Sequence, residues 1–125
     1  MIVSGDRNMY KEGFMKVAVS YENKKIFFHV GDTKEFKVYE IDNGSIVKTE
    51  ILESAGKGRG MVVDFLTEHQ CDILICNEIC SGAKGAVQEI GVKVYGAVTG
   101  NADAAVEALL RGELKDGATV ICNHE

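Results

Sequence analysis

The sequence predicts an α/β domain in which helices cover the faces of one mixed five-stranded sheet. Two patterns carry this prediction: a hairpin-like first half, and a second half in which short apolar strands alternate with helical segments. Strands joined by a tight turn pair antiparallel, whereas strands separated by a helix pair in parallel, so the sheet must be mixed. The chain has 125 residues and is 46% apolar, which suits a single domain with its own core.

The first half of the chain contains three predicted strands. KVAVSY at 16–21 is a compact apolar strand, and a long loop separates it from EFKVYEI at 35–41. The third strand, IVKTEIL at 46–52, follows the Asp-Asn-Gly turn at 42–44. Asn-Gly accepts positive φ at both central positions of a two-residue loop, so the second and third strands form a hairpin.

The second half of the chain changes to helical spacing. A predicted helix over 60–70 precedes a buried strand at 72–76, a short helix at 83–90 and another strand at 92–98. Asn101 can cap a last helix. Because crossovers between parallel strands are right-handed, the predicted spatial order is 3-2-1-4-5, with strand 2 antiparallel to its neighbours.

The domain boundaries follow from where this patterning starts and stops. Residues 1–15 are polar and weakly patterned, and they are predicted to be an N-terminal extension. Residues 16–115 form the predicted domain. Residues 116–125 form a C-terminal tail that either adds an edge strand at 118–122 or frays.

Charge and composition exclude two classes of partner. The net charge is −5 and the basic residues are scattered, whereas non-specific nucleic-acid binding needs clustered Lys and Arg. No apolar run approaches the roughly 20 residues that span a bilayer, so no membrane partner is expected. The N-terminus lacks the apolar core of a signal peptide, so we expect a cytoplasmic protein whose four cysteines stay reduced or bind metal.

The carboxyl edge of the parallel strands is where ligands bind in open α/β sheets. In the predicted topology the loops 21–34, 76–82 and 97–101 gather at this edge. Cys76 and Cys80 lie in the second loop and are candidate metal ligands, and the helix that follows Cys80 favours its thiolate form. The C-x3-C spacing is less specific than paired C-x2-C sets, and Cys76 has the alternative of a buried, small apolar side chain.

The loop after the first strand contributes His29, within FFHVGD. Imidazole is a good ligand for iron, copper or zinc, so His29 is a third candidate metal ligand. The alternative interpretation is an exposed loop histidine with no ligand.

The stretch GKGRG is a candidate anion site that comprises Gly56, Lys57, Gly58, Arg59 and Gly60. Its glycines let backbone N–H groups converge at a helix N-terminus, and its two cations add positive charge. The spacing of a Walker phosphate loop is absent. A phosphate, a molybdate or a negatively charged sulfide cluster would suit it, and a flexible loop with solvated cations is the alternative.

Several segments in a fixed order carry a family resemblance. MKVAVS opens the domain and HVG precedes a strand. The most specific segments are GAKGAVQEIGVKVYG and, after it, GNADAAVEALLRGEL. From Lys16 to Leu114, about four-fifths of the chain, the sequence resembles the dinitrogenase iron–molybdenum cofactor biosynthesis family. That family includes NifX-like carriers and the C-terminal domain of NifB-like proteins.

The resemblance implies a ribonuclease H-like fold and a non-catalytic carrier of anionic metal–sulfur clusters. His29 matches the histidine of the family's H-[FV]-G loop, and residues 56–60 match its glycine-rich segment. Cys80, Ser81 and Gly82 fall in its turn after the fourth strand, which makes Ser81 and Gly82 candidate cluster-binding residues.

This chain departs from the family pattern in two places. Relatives often carry a histidine in the glycine-rich segment, where Lys57 and Arg59 stand here, which shifts that segment towards electrostatic binding of an anion. The turn after the fourth strand usually lacks cysteine, so Cys76 and Cys80 could be ligands particular to this chain.

Together these observations predict a small cytosolic carrier or scaffold and not an enzyme. It would bind an iron–sulfur or iron–molybdenum–sulfur cluster, or its precursor, and exchange it with donor and acceptor proteins during metallocluster assembly, as in nitrogen fixation. Two alternatives stay open: a metal-free regulatory or protein-interaction module, and a small enzyme that binds a phosphorylated ligand at Gly56–Gly60.

Overall fold

The protein is a mixed six-stranded sheet with helices on both faces, as seen in a computed structural model that describes residues 13–117. A short 3-10 turn, Val30–Asp32, lies in the loop before β3. The elements in chain order are β1 (Phe14–Glu22), β2 (Lys25–Ile26), β3 (Glu35–Asp42), β4 (Ser45–Glu53), α1 (Gly58–Glu68), β5 (Ile73–Ile75), α2 (Ser81–Glu89), β6 (Lys93–Tyr95) and α3 (Ala102–Leu110).

The strands lie in the order β4-β3-β1-β5-β6, with β2 attached to β1. β3 pairs antiparallel with β1 and β4, whereas β5 pairs in parallel with β1 and β6. In the numbering of the five predicted strands, this path is 3-2-1-4-5 with strand 2 antiparallel. The mixed α/β class is thus confirmed, and the ribonuclease H-like assignment stays a prediction.

Two tight turns shape the antiparallel half of the sheet. Asn43 and Gly44 have φ values of 52° and 83°, as the predicted hairpin requires. The turn between β1 and β2 uses the same left-handed geometry at Asn23 and Lys24, with φ values of 53° and 72°. Five strands were predicted, whereas residues 13–117 form six, because this second turn has no glycine to signal it.

The helices enclose two separate apolar cores, one on each face of the sheet. Successive strand residues point to opposite faces, so Ala18 packs on one side while Val17 and Val19 pack on the other. The first core includes residues of α1 and α2, and the second those of α3; the helical members are Met61, Val62, Phe65, Leu66, Ala83 and Val87 in the first, and Ala102, Ala105 and Val106 in the second.

Element boundaries differ from the predictions by a few residues, most clearly at the start of β1 and the end of β6. β1 begins at Phe14, inside the predicted extension, because Phe14 pairs with Asp42 of β3. β6 ends at Tyr95 rather than at residue 98, since Ala97 adopts a φ of 59° and turns the chain away. Residues 1–12 of the predicted extension and the predicted edge strand at 118–122 lie outside the described residues.

Within residues 13–117, no helix has both the length and the apolar character needed to cross a membrane.

Candidate functional site

A backbone bridge joins the loop after β2 to the turn after β5. The Glu78 amide donates to the Phe28 carbonyl at 2.9 Å, and the Val30 amide donates to the Glu78 carbonyl at 3.1 Å. This parallel bridge fixes His29 against the residue two positions before Cys80. Two loops that are about 50 residues apart in the sequence therefore present their side chains side by side.

These loops and the starts of α1 and α2 surround a cavity of about 310 Å³. It lies on the α1–α2 side of the sheet, near the carboxyl ends of β1 and β5. Five residues that the sequence proposed for binding line it together, with three neighbours; the lining residues are His29, Val30, Gly31, Gly58, Arg59, Cys80, Gly82 and Ala83. We refer to this space as the His29–Cys80 cavity.

The side chains of His29 and Cys80 approach each other in the cavity. Cys80 Sγ lies 3.9 Å from His29 Nε2. The imidazole has two carboxylates nearby, with His29 Nε2 3.6 Å from Glu78 Oε1 and His29 Nδ1 3.8 Å from Asp32 Oδ2. Neither carboxylate lines the cavity, so the donors that face it are one imidazole and one thiol.

Two helix N-termini open onto the cavity. Lys57 and Cys80 are the N-cap residues of α1 and α2, and both have extended backbones. Neither side chain caps its helix, and neither helix has an acidic residue in its first turn. The first-turn N–H groups keep their partial positive charge, which is the usual basis of anion binding at a helix start.

Arg59 adds a full positive charge to this arrangement. Its guanidinium lies over the start of α2, where a Cβ built on Gly82 would stand 2.8 Å from Arg59 Nη1. A side chain at this position would therefore displace the guanidinium. Gly58 has a φ of 85° at the entry of α1, a conformation that glycine adopts without strain.

Other predicted site residues lie elsewhere. Cys76 is fully buried in the core, and burial, with a smaller contribution from Asp116, raises the pKa of its thiol to about 12. It does not line the cavity with His29 and Cys80, and its packing favours the structural interpretation. Gly56 lines a different, larger cavity of about 720 Å³ beside Tyr21 and Phe27.

The remaining predicted residues, Lys57, Gly60 and Ser81, belong to the first turns of the two helices or their caps without lining the cavity. In residues 13–117, no three His, Cys, Asp or Glu side chains are grouped so that they could hold a metal ion. The site therefore offers two candidate ligands and a positive environment, and not a closed metal cage.

Sequence reasoning missed Asp32 and Glu78, the carboxylates beside His29. Asp32 follows His29 by three residues within a turn, which was visible in the sequence. Glu78 lies between the two cysteines of CNEIC. Its contact with His29 arises only because the turn after β5 packs against the loop after β2. The bridge joins two segments that are far apart in the sequence, so no local sequence pattern could predict it.

Comparison with known proteins finds relatives of this sequence. The profile described as dinitrogenase iron–molybdenum cofactor matches residues 15–112. The uncharacterized protein MJ0580 of Methanocaldococcus jannaschii is 27% identical over 110 residues, which is 84% of this chain and 93% of that protein.

Two solved structures share the fold. The protein PH0822 superposes with a TM-score of 0.76 at 23% identity, over 82% of this chain and 95% of that one. The apo form of the orange protein of Desulfovibrio gigas superposes with a TM-score of 0.70 at 21% identity, over 82% of this chain and 92% of that one.

Proposed function

We propose a function from an established premise: this chain belongs to the dinitrogenase iron–molybdenum cofactor family. Family membership suggests a role associated with metal clusters. We propose that the protein is a non-catalytic carrier whose cargo is an anionic iron–sulfur or iron–molybdenum–sulfur cluster, or a precursor of one. The cargo would bind in the His29–Cys80 cavity and pass to an acceptor protein during metallocluster assembly.

The observation that carries the proposal is the 3.9 Å approach of His29 Nε2 and Cys80 Sγ in a cavity lined by Arg59 and two helix starts. Thiolate and imidazole are the protein ligands that iron–sulfur centres use. The positive groups that face the cavity are complementary to the net negative charge of such clusters. Each uncapped helix start contributes about half a positive charge, and Arg59 contributes one.

The small number of ligands suits delivery rather than storage. A structural metal site closes its coordination shell with four protein ligands, which makes metal release slow. Here two candidate ligands leave most of the cluster's coordination to its own sulfides or to a receiving protein. Electrostatic attraction would supply affinity without a bond that must be broken at transfer.

Cluster exchange also needs contact with a donor and an acceptor protein. Phe28 precedes His29, is 63% exposed and lines a separate cavity with Lys25 and Phe27, so the rim of the loop that carries His29 presents an apolar side chain. Aromatic side chains are enriched at the centres of protein interfaces. We propose that donor and acceptor proteins approach at this rim, in the cytoplasm, where thiols remain reduced.

The test is anaerobic reconstitution with ferrous iron and sulfide, with and without tetrathiomolybdate, followed by desalting and metal analysis. We expect the unchanged chain to retain metal and a visible charge-transfer spectrum. His29→Ala and Cys80→Ala should each lose most of the retained metal, because each removes one of two ligands.

His69→Ala and Cys71→Ala are matched controls for the imidazole and the thiol. His69 packs against the Phe65 ring at the end of α1, and Cys71 is buried in the core, so both lie outside the cavity. Equal metal retention in all four variants and the unchanged chain, with folding confirmed by circular dichroism, would refute the proposal.

One alternative keeps some support from the same cavity. Two helix starts and an arginine are also a suitable environment for a phosphate group, as expected for an enzyme acting on a phosphorylated ligand. Thermal stabilisation by phosphate esters in the absence of metal, lost in Arg59→Gln but kept in Cys80→Ala, would favour that function over cluster transport.

A further inference from the structure

β4 forms one edge of the sheet and is its most exposed strand. It pairs with β3 on one side, and no other described strand lies on its outer side. Seven of its nine residues are exposed, including the large apolar side chains of Val47 and Ile51, which are 59% and 51% exposed. A long edge with exposed apolar residues is a template for another strand.

The two faces of β4 differ in chemistry. Thr49 and Ile51 pair with Tyr39 and Lys37 of β3, whose neighbours on β1 belong to the α3 side of the sheet. Lys48 and Glu50 point to the opposite face, and their charged groups lie 3.9 Å apart. The α3-side face of the edge thus carries Thr49 and Ile51, and the other face carries one cation and one anion. The pairing with β3 is irregular at Val47, which has no partner residue on β3.

We propose that β4 pairs antiparallel with β4 of a second copy of this chain, with Thr49 opposite Thr49 on a two-fold axis. In this register Val47, which lies at the irregularity in the β3 pairing, falls opposite Ile51 of the second copy. On the other side, Lys48 faces Glu50 of the second copy. Symmetry repeats both contacts, so the dimer gains two apolar pairs and two pairs of opposite charge.

The charges select this register over its neighbours. A shift that centres the pair on Glu50 places the two Glu50 carboxylates opposite each other. A shift that centres it on Lys48 does the same with the two ammonium groups. Like charges directly opposite are destabilising, so of these three registers the Thr49-centred one is favoured, and it alone places Lys48 opposite Glu50 of the second copy.

The pairing leaves the His29–Cys80 cavity accessible. None of the cavity-lining residues belongs to β4, and β3 and β1 separate β4 from β5. A dimer built this way continues the sheet across both copies and presents two separate cavities.

A charge-swap cycle tests the proposal on the full chain by sedimentation velocity over a series of concentrations. Lys48→Glu and Glu50→Lys each place like charges opposite each other at two symmetric positions. We expect each to raise the dimer dissociation constant by about tenfold or more. The double variant Lys48→Glu/Glu50→Lys should restore the affinity of the unchanged chain, because the charges are complementary again.

Disulfide trapping tests the register independently. Thr49→Cys should form a covalent dimer under mild oxidation with diamide, since the two thiols face each other across the axis. Ser45→Cys, whose counterpart would lie opposite Glu53, should cross-link no more than the unchanged chain.

Three results would overturn the proposal. An unchanged chain that stays monomeric at every concentration would exclude the dimer. Single variants that dimerise as well as the unchanged chain would place the interface elsewhere. A double variant as weak as the single ones would exclude the antiparallel register.

Discussion

The N-terminus of α3 is capped by residues of its own sequence, whereas the N-termini of α1 and α2 are not. Asn101 caps α3 by accepting a hydrogen bond from the Ala104 amide at 2.9 Å, and Asp103 adds an acidic group to the first turn. α1 and α2 have neither feature, and both open onto the His29–Cys80 cavity. A helix end that is satisfied by its own sequence contributes stability, whereas an unsatisfied one is available for a ligand.

The α3 end is further tied to the sheet by a polar cluster. Lys37 Nζ donates to Asp103 Oδ1 at 2.8 Å, and the Tyr39 hydroxyl donates to the same oxygen. Burial, and then the bond to Asp103, raises the pKa of Tyr39 well above its ordinary value. The negative charge at the start of α3 is therefore matched within the protein. The starts of α1 and α2 have no acidic residue in their first turns, and the carboxylates of Asp32 and Glu78 lie beside His29 instead.

The largest effect should come from the charge that distinguishes the cavity. Arg59→Gln should weaken retention of the reconstituted cluster by about tenfold, because charge-assisted interactions contribute roughly 1.5–3 kcal/mol. Lys57→Gln removes the same charge from a residue that does not line the cavity, and it should have a much smaller effect. Equal losses in both variants would mean that only the overall charge matters.

The capped helix should respond in stability and not in binding. Asn101→Ala removes the cap of α3 and should lower the free energy of unfolding by about 1 kcal/mol. Urea unfolding followed by circular dichroism measures this loss, and cluster retention should not change. A stability equal to that of the unchanged chain would show that the cap contributes little.

A pair of glycine substitutions in α2 separates helix stability from the cavity. Alanine at Gly82 or Gly85 should stabilise the helix by up to about 1 kcal/mol. A Cβ at Gly82 meets the Arg59 guanidinium, whereas one at Gly85 meets nothing within 4 Å. We expect Gly82→Ala to weaken cluster retention by roughly two- to fivefold and Gly85→Ala to leave it unchanged. Identical retention in the two variants would show that the position of Arg59 is unimportant.

The smallest effect concerns acid stability on the α3 side. Hydrogen bonds from Lys37 and then from Tyr39 lower the pKa of Asp103 below its ordinary value. The carboxylate therefore contributes stability above the ordinary aspartate pKa, near pH 4, and this contribution is lost as the pH falls through the lowered value. In Asp103→Asn, urea midpoints should fall less steeply below about pH 4 than in the unchanged chain. Equal slopes of the urea midpoint against pH in the variant and the unchanged chain would contradict this prediction.

Much of the fold was accessible from local patterns. The Asn43-Gly44 turn, the helical spacing after Gly60 and the cap at Asn101 each depend on residues close together in sequence. β2 escaped prediction because its turn uses Asn23 and Lys24 without glycine, and positive φ is uncommon at such residues.

The candidate site was only partly accessible. His29, Cys80 and the glycine-rich stretch were identified by residue type, but residue type could not separate Cys80, which lines the cavity, from Cys76, which is buried in the core. Both cysteines lie on the α1–α2 side of the sheet, and the difference depends on the path of the turn after β5, which leaves Cys76 in the core and brings Cys80 to the start of α2. The roles of Glu78 and Gly82 likewise depend on neighbours from distant segments.

The sequence by itself determined most of the helices and strands, the distribution of charge and the family, because propensities, turns and apolar periods are local properties. Only the tertiary structure decided that one imidazole, one thiol, one guanidinium and two uncapped helix starts share a cavity. The physical reason is that backbone hydrogen bonds between the loops around Phe28 and Glu78 bring together side chains that the chain keeps about 50 residues apart.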